Sequence, residues 1–181
     1  MANIVLGVTG SIAAYKAADL ANTLTKEGHT VTVVMTGSAQ EFIAPLTFET
    51  LTKQPVYTDA FARTDAFDVE HIGLAKQADV LVIAPATANI IGKIAAGIAD
   101  DLLTTVVMAA AGKPVLICPA MNTVMYENPI VQGNIEKLAA LGYRFVEPRE
   151  SLLACGDLGK GALAETADIL QQIRSLLKPN D

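Results

Sequence analysis

The sequence has no tryptophan and only two cysteines among its 181 residues. Cys118 and Cys155 cannot form a disulfide framework, and their separation does not match the ligand spacing of a metal site. Sparse cysteine usage of this kind is typical of a reducing compartment, and we expect a cytoplasmic protein. The sequence also lacks basic runs, and its net charge of −6 argues against a nucleic-acid-binding surface.

Long apolar runs are absent as well. The longest apolar runs in the sequence stop well short of the ~20 residues that a membrane-spanning helix needs, so no membrane association is expected. The amino-terminal residues have no basic segment of the kind that opens a signal peptide. Aromatic residues are scarce, at 5% of the chain, although 51% of it is hydrophobic. The core must therefore consist of alanine, valine, isoleucine and leucine, which suits a parallel sheet covered by helices on both faces.

Apolar runs alternate with helical patterns along the chain and predict a Rossmann-like open α/β fold, a single domain over residues 1–181. Strands are expected at 3–8, 30–35, 79–83, 114–118 and near 143–146. Helices are expected from the first turn to about 27, in one or two pieces over 38–51, at 70–76, over 90–111 with a break near 97–100, at 130–141 and at 166–177. We expect an irregular excursion over the sheet edge at 52–69, and a mobile glycine-rich flap at 152–165.

Small or polar residues follow four of the expected strands. They are Gly10 with Ser11, Thr36 with Ser38, Thr87 with Asn89, and Asn122. Because the carboxyl ends of parallel strands lie along one rim, these residues point to a single site. The first turn has neither a dinucleotide fingerprint nor a Walker loop, but its glycine, serine and free helix-start amides suit one phosphate group. A Gly-Ser turn between a strand and a helix is also common without any ligand.

Three side chains could carry chemistry, and each has a structural alternative. Asn122 could bind an anion or merely cap the helix that follows Pro119. His71, one of two histidines, could be a base or a structural residue. Cys155 could be reactive at the root of the flap, although most lone cysteines are simply buried.

Taken together, the motifs resemble those of the homo-oligomeric flavin-containing cysteine decarboxylases. The resemblance implies the Rossmann-like fold of flavoproteins. The matching segments lie between residues 10 and 165: GSIAAYK at 10–16, His71, APATAN at 84–89 with DDLLT at 100–104, PAMN at 119–122 and ACGD at 154–157. One position departs from the pattern, because Tyr126 stands where the family often has tryptophan. That departure leaves the shape of the substrate pocket open.

The resemblance implies FMN as the cofactor, in agreement with a first turn suited to a single phosphate. It implies that the flavin is lined by Gly10, Ser11, Ile12, Thr36, Ser38, Thr87, Ala88, Asn89 and Ala120. It also assigns His71 as the base, Asn122 as the amide that binds the substrate carboxylate, and Cys155 as the proton donor. The expected substrate contacts are Asn122, Met125, Ala154, Lys160 and Leu163.

Among the family's branches, the motifs fit the one that serves coenzyme A biosynthesis. The implied reaction turns 4′-phosphopantothenoylcysteine into 4′-phosphopantetheine. Thiol oxidation gives a thioaldehyde that can accept the electrons released with CO₂, and protonation and re-reduction complete the cycle. A histidine base suits a thiol, whose ordinary pKa is about 8.5, and a neutral amide binds the carboxylate without over-stabilising the ground state.

Three other functions share the fold: a peptidyl-cysteine decarboxylase, a flavin prenyltransferase and a non-catalytic flavin-binding regulatory subunit. The ACGD segment argues against the first, the PAMN segment with His71 against the second, and the lack of long acidic extensions against the third. The resemblance also implies a homotrimer or a multiple of trimers. In many bacteria this domain is fused to a phosphopantothenate–cysteine ligase, and from the 181-residue length we expect the ligase here on a separate chain.

Overall fold

Parallel strands form a six-stranded sheet in the computed structural model, which describes residues 1–61, 70–152 and 158–178. The spatial order is β3-β2-β1-β4-β5-β6. The strands are β1 (Asn3–Val8), β2 (Thr30–Met35), β3 (Val56–Tyr57), β4 (Val80–Ala86), β5 (Val115–Pro119) and β6 (Arg144–Phe145).

The central strand, β1, is buried from Ile4 to Val8 and pairs with β2 on one side and β4 on the other. Since β2 and β3 lie to one side of β1, whereas β4, β5 and β6 lie to the other, the strand order reverses between β1 and β4. Such a reversal leaves a crevice at the carboxyl ends of the two strands, where open α/β sheets bind their ligands.

Helices cover both faces because side chains alternate along β1. Ile4, Leu6 and Val8 belong to one apolar cluster, and Val5 belongs to another. The first cluster includes residues of α1 (Ala14–Lys26), α3 (Pro45–Thr52) and α9 (Thr166–Leu176). The second includes residues of α4 (Glu70–Gln77), α5 (Ala88–Ala96), α6 (Leu102–Ala109) and α8 (Pro129–Ala140). Two short helices, α2 (Gly37–Gln40) and α7 (Thr123–Tyr126), follow β2 and β5.

The Rossmann-like prediction is therefore confirmed, and two local expectations near the sheet are wrong. The excursion expected at 52–69 includes β3, which adds an edge strand beside β2; residues 62–69 lie outside the described chain. Strand β4 does not stop at Ile83 but continues through Pro85 to Ala86. Its register with β5 shifts between Ile83 and Ala86, so the ladder does not require the N–H that proline lacks.

The glycine-rich segment differs from its prediction too. Its described part is an antiparallel hairpin of β7 (Arg149–Leu152) and β8 (Leu158–Ala162), and not wholly a flap. Glycine serves here for close packing: a Cβ on Gly161 would collide with the carbonyl oxygen of Met121, and one on Gly159 with the Thr123 side chain. The hairpin therefore rests directly on the turn between β5 and α7.

Within the described residues, no helix combines the length and the apolar character needed to cross a bilayer.

Candidate active site

A cleft of about 880 Å³ opens at the carboxyl ends of β1, β2, β4 and β5. It includes the point where the strand order reverses, and its volume lies in the range of small-molecule sites. Every residue that the sequence suggested for a flavin lines it: Gly10, Ser11, Ile12, Thr36, Ser38, Thr87, Ala88, Asn89 and Ala120. The four polar strand ends therefore do meet at one site.

Thr9, which had no predicted role, joins the two central strand ends. Its side chain is buried, and its hydroxyl donates to the Pro85 carbonyl at 2.7 Å. The same hydroxyl accepts from the N–H of Thr87 at 3.1 Å. These bonds span the crevice between β1 and β4 and fix the two turns relative to each other. A hydroxyl at the end of an otherwise apolar strand was the signal in the sequence.

Asn122 caps a helix and also lines the cleft, and its role as a carboxylate-binding amide stays a prediction. Its Oδ1 accepts from the N–H of Val124 at 2.8 Å, so it caps α7. It also lines the cleft, together with Met125 and Leu163. The cap uses the amide oxygen, whereas a carboxylate would need the NH₂ group, so the two roles are compatible.

The turn that carries Asn122 is held by backbone bonds on both sides. Ala120 N–H donates to the Ala86 carbonyl, and Met121 N–H donates to the Gly161 carbonyl, each at 2.9 Å. The first bond ties the turn to β4 and the second to the hairpin. Asn122 is thereby set between the sheet and the hairpin.

Lys160 is not among the described lining residues of the cleft, and its role as a substrate contact stays a prediction. It pairs with Glu147 and lies over the Tyr126 ring, 5.7 Å from the centroid. The hydrogen bond to Glu147 raises the Lys160 pKa. Gly159 and Gly161 lie on the face of β8 that packs against the Met121–Thr123 turn. Because side chains alternate along a strand, the Lys160 side chain points away from this turn.

Tyr126 is buried and is not among the described lining residues, so the departure from tryptophan does not alter the cleft wall directly.

His71 is also absent from the described lining of the cleft. It is a partly buried residue near the start of α4, and α4 packs against α6 on the face of the second apolar cluster. Within one chain, the structure therefore does not bring His71 to the site. Ala154 and Cys155 lie outside the described residues.

Charged side chains without a predicted role also line the cleft. Lys93 pairs with Asp100 at 2.7 Å and with Asp101 at 3.1 Å. These contacts raise the pKa of Lys93, the hydrogen bond to Asp100 having the largest effect. Arg149 pairs with Glu165 at 3.0 Å. Lys16 lines the cleft as well. No spacing rule in the sequence predicts these positions, because they reach the cleft from different elements.

The fold and the cleft define an α/β nucleotide-binding protein with a mononucleotide-sized site at its strand-order reversal. The chain belongs to the flavoprotein family, whose sequence profile matches residues 1–178.

Two curated relatives are each 50% identical to this chain. One is a probable phosphopantothenoylcysteine decarboxylase of Streptococcus mutans, aligned over 96% of this chain and 98% of its own. The other is the coenzyme A biosynthesis bifunctional protein CoaBC of Bacillus subtilis, aligned over 93% of this chain. This chain spans only 41% of that bifunctional relative's length.

Two solved structures have the same fold. A cysteine-to-serine mutant of PPC decarboxylase, complexed with pantothenoylaminoethenethiol, superposes with a TM-score of 0.88 at 37% identity. The match covers 96% of this chain and 97% of that one. The FMN binding protein AtHal3 gives a TM-score of 0.85 at 38% identity, over 96% of this chain and 95% of its own.

Proposed function

We propose that this protein is an FMN-dependent carboxy-lyase that converts 4′-phosphopantothenoylcysteine into 4′-phosphopantetheine in coenzyme A biosynthesis. The observation that carries the proposal is the cleft itself, where the residues suggested for the flavin and Asn122 of the PAMN turn line one space. Family membership and a 50% identical relative named for this activity support it.

The residues of the cleft fit FMN. Within the described residues, the N–H groups of Gly10 and Ile12 donate no hydrogen bond, and the buried Thr36 hydroxyl has no partner. Gly10 lies so close to Ser38 that a Cβ there would overlap the serine side chain. Free amides beside a helix start, a glycine and hydroxyl groups are what one phosphate ester requires.

We expect Gly10→Ala to weaken FMN binding by about 10- to 100-fold, because the added methyl group must push the Ser38 turn outward. Titration of the apoprotein with FMN, followed by flavin fluorescence, measures the effect. Gly133→Ala is the matched control, since a Cβ there meets nothing within 4 Å and its helix, α8, lies away from the Gly10 turn. Unchanged FMN affinity in Gly10→Ala would exclude this turn as the phosphate site.

The protein's own groups then position and protonate the substrate. Bound FMN would supply a two-electron oxidation of the substrate CH₂SH group and return the electrons after CO₂ has left, so that there is no net redox change. Asn122 binds the carboxylate through its NH₂ group while α7 fixes its oxygen. Because that amide is neutral, it holds the carboxylate without stabilising its charge as strongly as a lysine or arginine would.

His71 takes the proton of the substrate thiol in this scheme. Since His71 does not line the cleft of its own chain, it acts in the cleft of a neighbouring copy in a homotrimer or a multiple of trimers. The resemblance to enzymes with sites at subunit boundaries supports this arrangement.

Cys155 supplies the proton to the carbon that has lost CO₂. The related cysteine-to-serine mutant, complexed with pantothenoylaminoethenethiol, supports a cysteine-dependent final step in this family. We expect Cys155→Ser to release CO₂ but to stop at the unreduced enethiol, which mass spectrometry separates from 4′-phosphopantetheine by two mass units. Full reduction at the wild-type rate would remove Cys155 from this role.

One assay tests the function as a whole: CO₂ release from 4′-phosphopantothenoylcysteine by the FMN-loaded protein, with identification of the product. An enethiol end product in the wild type would favour the peptidyl-cysteine branch. No CO₂ release would favour the prenyltransferase or the regulatory subunit.

The setting of the enzyme is part of the proposal. We take residues 1–181 as one catalytic domain, supported by a single six-stranded sheet with a core on each face. A ligase that supplies the substrate is the expected partner activity, as the bifunctional Bacillus subtilis relative suggests. The sparse cysteine usage supports a cytoplasmic location.

A further inference from the structure

Three cationic side chains line the cleft, and two of them have carboxylate partners. Lys93 pairs with Asp100 and Asp101, and Arg149 pairs with Glu165. Lys16 is the third, and no carboxylate of the described residues lies within ion-pair distance of its ammonium group. Its positive charge therefore has no compensating carboxylate among the residues that the structure describes.

The position of Lys16 in its helix makes this charge more unusual. Lys16 lies in the first turn of α1, which has no acidic residue, and the Ala13 N-cap provides no side-chain bond. A cation near a helix amino terminus is unfavourable, because the peptide dipoles concentrate positive potential there. Lys16 is also partly buried. A local rule broken inside a cleft is typical of a functional residue, and here an anion would remove the electrostatic cost.

The proposed reaction brings two phosphate groups to this protein, one on FMN and one on the substrate. The amides of Gly10 and Ile12 with the neighbouring hydroxyls already provide a neutral cradle for one of them. Resting on the proposed function, we infer that Lys16 binds the 4′-phosphate of the substrate and makes the enzyme selective for phosphorylated pantothenoylcysteine. Asn122 would then hold one end of the substrate and Lys16 the other.

The test compares 4′-phosphopantothenoylcysteine with unphosphorylated pantothenoylcysteine, using the FMN-loaded protein. In Lys16→Gln, we expect kcat/KM for the phosphorylated substrate to fall about 10- to 100-fold, the loss of a charge-assisted hydrogen bond. The unphosphorylated substrate should be affected much less, so the preference for the phosphate group shrinks. Lys16→Arg keeps the charge and should keep most of that preference.

The control is Lys26→Gln, an exposed lysine in the last turn of the same helix and outside the described lining of the cleft. It should change neither kcat/KM value. Equal losses for both substrates in Lys16→Gln, or a loss of bound FMN measured by absorbance, would overturn the inference and place Lys16 on the cofactor or in the fold. If the wild type decarboxylates neither substrate, the proposed function itself is wrong, which is a separate outcome.

Discussion

We expect Asn122→Asp to lower kcat/KM for decarboxylation by about a thousandfold or more, while FMN remains bound. The substitution replaces an NH₂ donor with a carboxylate oxygen that faces the substrate carboxylate. Like charges brought together in this way cost several kcal/mol, and 4 kcal/mol corresponds to about a thousandfold. Steady-state CO₂ release measures the loss, and flavin absorbance measures the retained cofactor.

The variant isolates binding from folding because aspartate caps helices as well as asparagine does. Its carboxylate can still accept the N–H of Val124, so the free energy of unfolding should change little.

The chain offers a close control in Asn128→Asp. Asn128 caps α8 by accepting from the N–H of Ile130 at 2.9 Å, and it does not belong to the described lining of the cleft. This control should retain wild-type kcat/KM. Unchanged kcat/KM in Asn122→Asp would mean that Asn122 is only a helix cap, and equal losses in both variants would point to a general electrostatic effect.

His71→Asn is the second large effect: we expect turnover to fall by about 10²- to 10⁴-fold with the flavin retained, as for the loss of a general base. Asparagine keeps a polar side chain of similar shape at the start of α4 but cannot take the thiol proton. Loss of FMN together with activity would instead make His71 structural.

The stronger form of this prediction uses two inactive variants together. His71→Asn retains a complete cleft, and Asn122→Asp retains a complete histidine. If each site combines the cleft of one subunit with His71 of the next, unfolding and refolding a one-to-one mixture should restore about a quarter of the sites. Mixing folded proteins without subunit exchange should restore none.

Mass spectrometry of differently tagged subunits would show that mixed oligomers have formed. Mixed oligomers without any recovered activity would contradict the assignment of His71 to a neighbouring site. A monomer by sedimentation would contradict it as well.

The sequence was sufficient for the features that repeat along the chain. Apolar strands followed by polar ends predicted the sheet, the rim and the meeting of Ser11, Thr36 and Asn122, because the carboxyl ends of parallel strands share an edge. It was insufficient for β3, whose two residues have no readable period. The orientation of Lys160 could not be predicted, because the face of β8 depends on where its glycines pack. His71 could not be placed, since the proposed contact between copies would leave no pattern within one chain.

The alternation of glycine, lysine and glycine in β8 sets different limits on variation at adjacent positions. A library built on this hairpin could diversify residue 160 freely, at the cost of one surface pair with Glu147. The same library would lose most members at Gly159 and Gly161, where even a methyl group enters space occupied by the Met121–Thr123 turn. Variation of the hairpin is therefore tolerated on its outer face and excluded on the inner face that meets this turn.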